Sequence, residues 1–351
     1  VQISSVEVIP YALPFRKPYV TATGTLTRRE MVLLRLRDED GLVGLGEAVP
    51  LSLRGGTKLQ QVVEELELFD RLEEIDEAEL RQTAGLSPPA RCAATTALLD
   101  LRGRRAAADG HTAASPAVPV RCNATLVSGE PAAVVADAED WARDGFSSFK
   151  LKLGTGDDAA QVRAVREALG PRARLRVDAN GAWDVETAKR TLSEIEPYEI
   201  ELAEQPVATL EDTTEVAAST AIPLAADECV ETRDEAERAA AAGAFALTGI
   251  KLSKVGGPEA AIEIAELLPA YMTSALDGPV GIAAAAQVAA TLGDPRRGED
   301  PPLAHGLATQ RLFASTIASS ECELRGDMLH PPAGPGLGVE IDEKALAAHR
   351  L

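Results

Sequence analysis

From Val118 onward the chain repeats one pattern, a short run of β-favouring residues followed by an amphipathic helical stretch, and few architectures accept such a repeat. The β runs are VPVRCNATL from 118, FSSFKLKLG from 146, RLRVDANG from 174, IELAEQP from 200, IPLAADE from 222, ALTGIKL from 246, YMTSALD from 271 and LAHGLAT from 303, eight in all. Between them the apolar positions recur at helical spacing. Val185, Ala188, Leu192 and Ile195 follow Asp184 as a helix N-cap, and Val162, Val165 and Leu169 precede Gly170 as a stop. Repeated β/α units of about 25 residues predict a parallel α/β barrel, whose reactive groups stand at the C-terminal ends of its strands.

The first third reads differently. EMVLLRLRDEDGLVGLGEAV is two apolar runs joined through Asp40-Gly41, a hairpin signal, and LQQVVEELELFDRL and PPARCAATTALLDLRGR follow as helices. Strands followed by helices predict an α+β domain. GLVGLGEA lacks G-x-G-x-x-G and joins strand to strand, so it is no dinucleotide loop.

Three consecutive barrel strands end in acid: Asp178 in RVDAN, Glu204 in AEQP, and Asp227 with Glu228 in AADE. On one barrel these carboxylates converge at the mouth, where they would repel one another without a cation. A hard divalent ion resolves the repulsion. Mg²⁺ is favoured and Mn²⁺ suits the same oxygen donors. The four histidines form no zinc-binding spacing.

Lysine sharpens the pattern because there are only eight in 351 residues, and four of them lie in FKLKLG and GIKLSKVGG. Strand alternation turns Lys150 and Lys152 to the same side, the barrel interior. Two ammonium groups so close lower the pKa of at least one, which makes an amine available as a base. Lys251 ends the sixth strand, across the mouth from the second. A metal between opposed amines suits removal of a proton alpha to a carboxylate, with stabilisation of the resulting enediolate.

KLK at 150–152, DAN at 178–180, EQP at 204–206, DE at 227–228 and IKLSKVGG at 250–257 together resemble the enolase superfamily, within it the muconate-lactonizing-enzyme subgroup, over nearly the whole chain. The Lys base with Mg²⁺ is the pattern known for that superfamily. The resemblance implies a modified (β/α) barrel at 117–322, an α+β capping domain at 1–116, and a C-terminal segment, 323–351, returning to the cap. It further implies Lys152 as the base, Lys150 as its electrostatic partner, and Asp178, Glu204 and Asp227 as Mg²⁺ ligands.

Within the subgroup, TATGTLTRRE with GLGEAVPL, SALDGPVGIAAAAQVAA and HGLATQRLF most resemble o-succinylbenzoate synthases, the dehydratases of menaquinone biosynthesis. That resemblance implies a small-molecule carboxylate substrate, met by Arg176, Ser274 and Asp277. Lys251 would stay protonated and stabilise the enediolate by a cation–π contact. The competing reading is racemisation of an N-acylamino acid, such as an N-succinylamino acid, or epimerisation of a dipeptide, with Lys152 and Lys251 as two bases. AHGLATQ lacks the Asp-x-Asp with which the dipeptide epimerases hold an ammonium group. A reading from another class is a non-catalytic binding barrel.

Charge excludes some partners. Lys plus Arg is 35 against 55 for Asp plus Glu, a net −20, and such a surface repels nucleic acid and anionic membranes. With 3% aromatic residues, this acid excess is that expected of a halophilic, salt-adapted protein. Four scattered cysteines imply reduced thiols rather than disulfides, and no long apolar run or leader-like start is present, so a soluble cytoplasmic protein is expected. A homo-oligomer is compatible with this fold, although no motif specifies one.

Overall fold

Strand alternation decides the N-terminal third. β1 (Ile3–Thr21), β2 (Gly24–Asp38) and β3 (Val43–Ala48) form an antiparallel sheet in that order, with the hairpin turning at Gly41 (φ 85°). In β2, Val32, Leu34 and Leu36 face α1 (Leu59–Asp70) and α2 (Pro88–Ala108) in a core of their own. The intervening Met31 and Leu33, with Tyr11, Leu13 and Leu45, belong to the larger core shared with the rest of the chain. The cap sheet is therefore buried on both faces. α2 lies so close on β3 that a Cβ at Gly44 or Gly46 would fall 2.2 or 1.9 Å from the carbonyl oxygens of Ala97 and Ala93. The glycines of GLVGLGEA thus admit a helix backbone.

This computed structural model describes residues 2–21, 24–51, 56–70, 85–110, 118–294 and 302–351. Residues 22 and 23 of TATGTLTRRE, 71 and 72 of the first predicted helix, and the expected domain boundary at 116 lie outside the described residues.

The expected first barrel strand divides into β4 (Val120–Arg121) and β5 (Ala124–Leu126). Then come β6 (Ser148–Lys152), β7 (Arg174–Asp178), β8 (Ile200–Glu204), β9 (Leu224–Ala226), β10 (Leu247–Ile250) and β11 (Ala270–Met272). β5 to β11 make one parallel sheet in sequence order. The helices between and after them are α3 (Pro131–Arg143), α4 (Asp158–Leu169), α5 (Val185–Ile195), α6 (Leu210–Ala217), α7 (Arg233–Ala242), α8 (Leu252–Val255), α9 (Pro258–Ala265) and α10 (Pro279–Leu292). Asp184 caps α5 by accepting from the Thr187 N–H, and Gly170 (φ 75°) ends α4, as their spacing predicts.

The eighth β run corrects the expectation in one respect: LAHGLAT forms no strand of its own. His305 bridges Cys122 and Gly306 bridges Thr273, both in parallel sense, so this segment closes the ring between its last and first strands with single bridges. The His305 imidazole Nδ1 accepts the Met272 N–H at 3.0 Å, and burial draws its pKa down to about 4, so it sits neutral in the seam.

After the barrel, β12 (Ala318–Ser320) pairs with β15 (Glu340–Ile341), and the hairpin of β13 (Glu323–Arg325) and β14 (Met328–His330) pairs with β4. α11 (Glu343–His349) then runs beside the cap. Arg350 bridges Tyr11, and the Leu351 N–H donates to the Pro10 carbonyl at 3.0 Å. Among the described residues no helix is long and apolar enough to cross a membrane. All four cysteines are free thiols.

Candidate active site

Alternation on the barrel strands sorts residues into an inner and an outer set. In β6 the outer residues Phe149 and Leu151 pack in the main core, while Ser148, Lys150 and Lys152 share the inner face, all buried. Asp178 and Glu204 end β7 and β8 directly beside each other in register, and Asp227 follows β9. Oxygens of these three buried carboxylates lie within 4.8 Å of one another. Below them, Leu202, Ala225, Leu247, Tyr271 and Leu303 make an apolar layer that shuts the barrel interior.

Each acid is held by lysine. Lys152 Nζ donates to Asp178 Oδ2 at 2.6 Å and to Asn180 Oδ1 at 3.0 Å. Lys150 Nζ donates to both oxygens of Glu204 at 2.9 Å and lies 3.1 Å from Asp178. Lys251 and Lys254 both meet Asp227, Lys254 at 3.0 Å from Oδ1. Gln205 fixes the turn that carries Asp227, because its side-chain oxygen accepts the Asp227 N–H at 2.9 Å and the Cys229 N–H at 3.2 Å. β6 and β10 stand four places apart in the closed ring, so Lys152 and Lys251 face each other across the acids.

The electrostatics separate the lysines of β6. Burial lowers the Lys152 pKa, and Lys150 and Lys251 push the same way against the pull of Asp178. Burial also opposes charge on Lys150, but Glu204, Asp178 and Asp227 outweigh it and hold its pKa above the usual lysine range. Asp178 resists its own burial because Lys152 and Lys150 keep its carboxyl well below the usual carboxylate range.

A cavity of about 360 Å³ opens over this cluster. Lys150, Lys152, Asp227 and Lys251 line its barrel side, Thr273, Ser274, Gly306 and Thr309 a neutral wall, and Tyr19 and Arg29 reach it from the cap. Ser274 thus borders the cavity. Asp277 does not: it is buried, accepting from the Ser274 hydroxyl at 2.7 Å and the Ala275 N–H at 2.8 Å. Arg176 lies deeper still, fully buried one pleat repeat below Asp178. It pairs with Glu201, donates to the Ala304 carbonyl at 2.6 Å, and stacks 5.6 Å over the Tyr271 ring, whose hydroxyl donates to Glu204. Its guanidinium supports the floor of the site rather than its open surface.

Sequence reasoning assigned no role to Lys254, Tyr271 or Arg29. Lys254 was visible in IKLSKVGG, three residues from Lys251 and so on the same helical face. Nothing in the local pattern distinguishes Tyr271 or Arg29.

The donor set fits a hard divalent cation: three converging carboxylates, all oxygen, set where lysine ammonium groups now balance their charge.

Comparison with known proteins follows the same outline. Residues 3–109 match the family described as mandelate racemase / muconate lactonizing enzyme, N-terminal domain, and residues 133–345 match the enolase C-terminal domain-like family. The chain is 36% identical to the o-succinylbenzoate synthase of Thermobifida fusca (strain YX) over 239 residues, 66% of this chain and 70% of that one. It is 30% identical to muconate cycloisomerase 1 of Pseudomonas putida over 97% of this chain and 96% of that one. Among solved structures, muconate lactonizing enzyme from Pseudomonas fluorescens with muconolactone superposes with a TM-score of 0.90 at 29% identity, covering 99% of each chain. The dipeptide epimerase of Enterococcus faecalis V583, complexed with Mg and the dipeptide L-Leu-L-Tyr, superposes with a TM-score of 0.86 at 26% identity, covering 97% of this chain and all of that one.

Proposed function

Because the chain belongs to the enolase superfamily, in its muconate-lactonizing-enzyme subgroup, we propose that it is a metal-dependent dehydratase, an o-succinylbenzoate synthase, with Lys152 as the base. The observation that carries this choice is the neutral wall of Thr273, Ser274, Gly306 and Thr309, with Asp277 turned away from it. A dipeptide would bring an ammonium group to this wall, which carries no acid, since the cavity's carboxylates Asp227, Glu228 and Glu231 come from the segment after β9 instead, whereas a carbocyclic acid brings none. The resemblance to the Thermobifida enzyme supports the same substrate class.

In this reading Asp178, Glu204 and Asp227 hold Mg²⁺, or Mn²⁺ in its place. An ion held there would supply positive charge to the substrate carboxylate and so favour loss of the alpha proton. Lys152, whose pKa burial lowers, takes that proton onto Nζ in its unprotonated form. The C–O bond on the neighbouring carbon then breaks, the electron pair released at the alpha carbon forms the new ring double bond, and the hydroxyl leaves as water with the proton that Lys152 has taken up, which returns Lys152 to its starting state. The ring becomes aromatic with no redox change. Lys251, across the mouth, pairs with Asp227 and faces the developing enediolate. Tyr271 and Arg176, beneath, keep Glu204 in place.

The second reading, racemisation of an N-succinylamino acid, is favoured by the opposition of Lys152 and Lys251, which would let either face of an alpha carbon meet an amine. The deciding experiment incubates the protein with the cyclohexadiene precursor of o-succinylbenzoate, with and without chelator. Aromatic absorbance that chelator abolishes is expected. No turnover of the cyclohexadiene, together with alpha-proton exchange of N-succinylamino acids in D₂O, would replace the dehydratase by the racemase.

A further inference from the structure

Every barrel lysine lining the cavity has a carboxylate partner, Lys150 on Glu204, Lys152 on Asp178, Lys251 and Lys254 on Asp227. Arg29, the arginine that reaches the same cavity from the cap, is placed differently. It sits on the barrel-facing register of β2 with Met31 and Leu33, and it is 6% exposed. Its Nη2 donates to the Pro50 carbonyl at 2.8 Å, while its Nε is buried without a hydrogen-bond partner. Among the described residues no carboxylate lies within ion-pair distance of it. Asp277 attracts it from further off, with an oxygen already engaged by Ser274 and Ala275.

A buried guanidinium keeps its charge, because burial brings its pKa down only to about 10. A buried charge without a counter-ion is unfavourable, and the planar fork of arginine donors matches a carboxylate. The cavity volume falls in the ordinary range of small-ligand sites, roughly 300–1,000 Å³.

We propose that Arg29 binds a second carboxylate of the substrate, remote from the carboxylate next to the reacting carbon, and so selects dianionic acids. The inference rests on the proposed function in placing the reacting carboxylate over the acid triad. It adds that the capping sheet recognises the far end of the molecule, for which a succinyl chain supplies the required group.

Titration calorimetry in Mg²⁺ buffer tests it with two ligand pairs. The first is o-succinylbenzoate against 2-butyrylbenzoate, in which a methyl group replaces the distal carboxylate. The second is N-succinylphenylalanine against N-butyrylphenylalanine. The wild type is expected to prefer the succinyl member of a pair by about 10- to 100-fold, the range of a hydrogen bond to a charged group. Arg29→Gln should reduce that preference to about threefold or less while leaving butyryl binding unchanged, and Arg29→Lys should retain part of it. Thermal midpoints of both variants establish that they fold. Preference confined to the second pair upholds Arg29 and removes the o-succinylbenzoate reading. An Arg29→Gln protein that still discriminates, or a wild type that discriminates in neither pair, overturns the assignment.

Discussion

Lys150 and Lys152 stand two residues apart on one face of β6, and the barrel drives their pKa values in opposite directions. Lys150 faces Glu204 and Asp178 together, whereas Lys152 has Asp178 and Asn180 and stands nearer the open cavity. The first holds charge against burial, and the second yields to it.

Replacing Lys150 by methionine removes a positive neighbour and should raise the Lys152 pKa. A base works in its deprotonated form, so the rising limb of kcat/KM against pH should move to higher pH. A limb that stays in place would show that Lys150 does not tune Lys152.

Lys152→Ala should lower turnover by about 10²- to 10⁴-fold, the usual contribution of a positioned base. Lys251→Ala separates the two chemistries. In a dehydratase the alpha proton still exchanges in D₂O through Lys152, while in a two-base racemase interconversion of the enantiomers stops.

Asp178 is held by Lys152, whose pKa burial lowers, so the acid triad should bind a metal ion more tightly as pH rises and that amine gives up its proton. The apparent Kd for Mg²⁺, measured by calorimetry, should fall as pH rises, and Mg²⁺ at about 100 times its Kd should stabilise the fold by about 2.7 kcal/mol. Asp227→Asn should abolish the gain. A pH-independent Kd would mean that the lysines do not compete with the ion.

At the seam between cap and barrel, Glu47 accepts the Gly278 N–H at 2.6 Å and the Tyr11 hydroxyl at 2.8 Å. Burial, then the charge of Asp277, pushes its pKa up to about 7. The folded chain therefore binds this proton more tightly than the unfolded chain does. The stability it contributes is full below the unfolded carboxyl pKa and is lost as pH rises toward 7. The stability difference between wild type and Glu47→Gln should favour the wild type more at pH 5 than at pH 8, and an equal difference at both would refute the linkage.

A net charge of −20 on 351 residues repels itself in dilute buffer. The melting temperature should rise between low salt and about 1 M KCl as screening shortens the Debye length to about 3 Å. Full stability at low salt would remove the expectation of salt adaptation.

The acids and lysines are legible in sequence because a strand end is a fixed place on a barrel, and alternation settles which side chains turn inward. Depth is not legible in the same way. Arg176 shares the face of Asp178, yet two residues along a strand are about 6.6 Å, enough to bury it against the Tyr271 ring. A one-residue register shift between β7 and β8 further sets Glu201 beside it, and no periodicity announces such a shift. The closing segment at His305 and Gly306 is too short to carry a repeat. Arg28 and Arg29 look alike in TLTRREMVLL, and only the packing of the sheet between two cores makes one an exposed partner of Glu30 and the other part of the cavity wall.

That two-sided sheet limits how such a protein can change. Point substitutions on the inward rungs of β2 can retune what is gripped without disturbing the helices behind. Gaining or losing one residue within the strand would instead exchange its two sides, offering Arg28 to the pocket and pressing Arg29 among aliphatic neighbours. Drift toward new substrates along this strand is therefore open to replacement and closed to insertion or deletion.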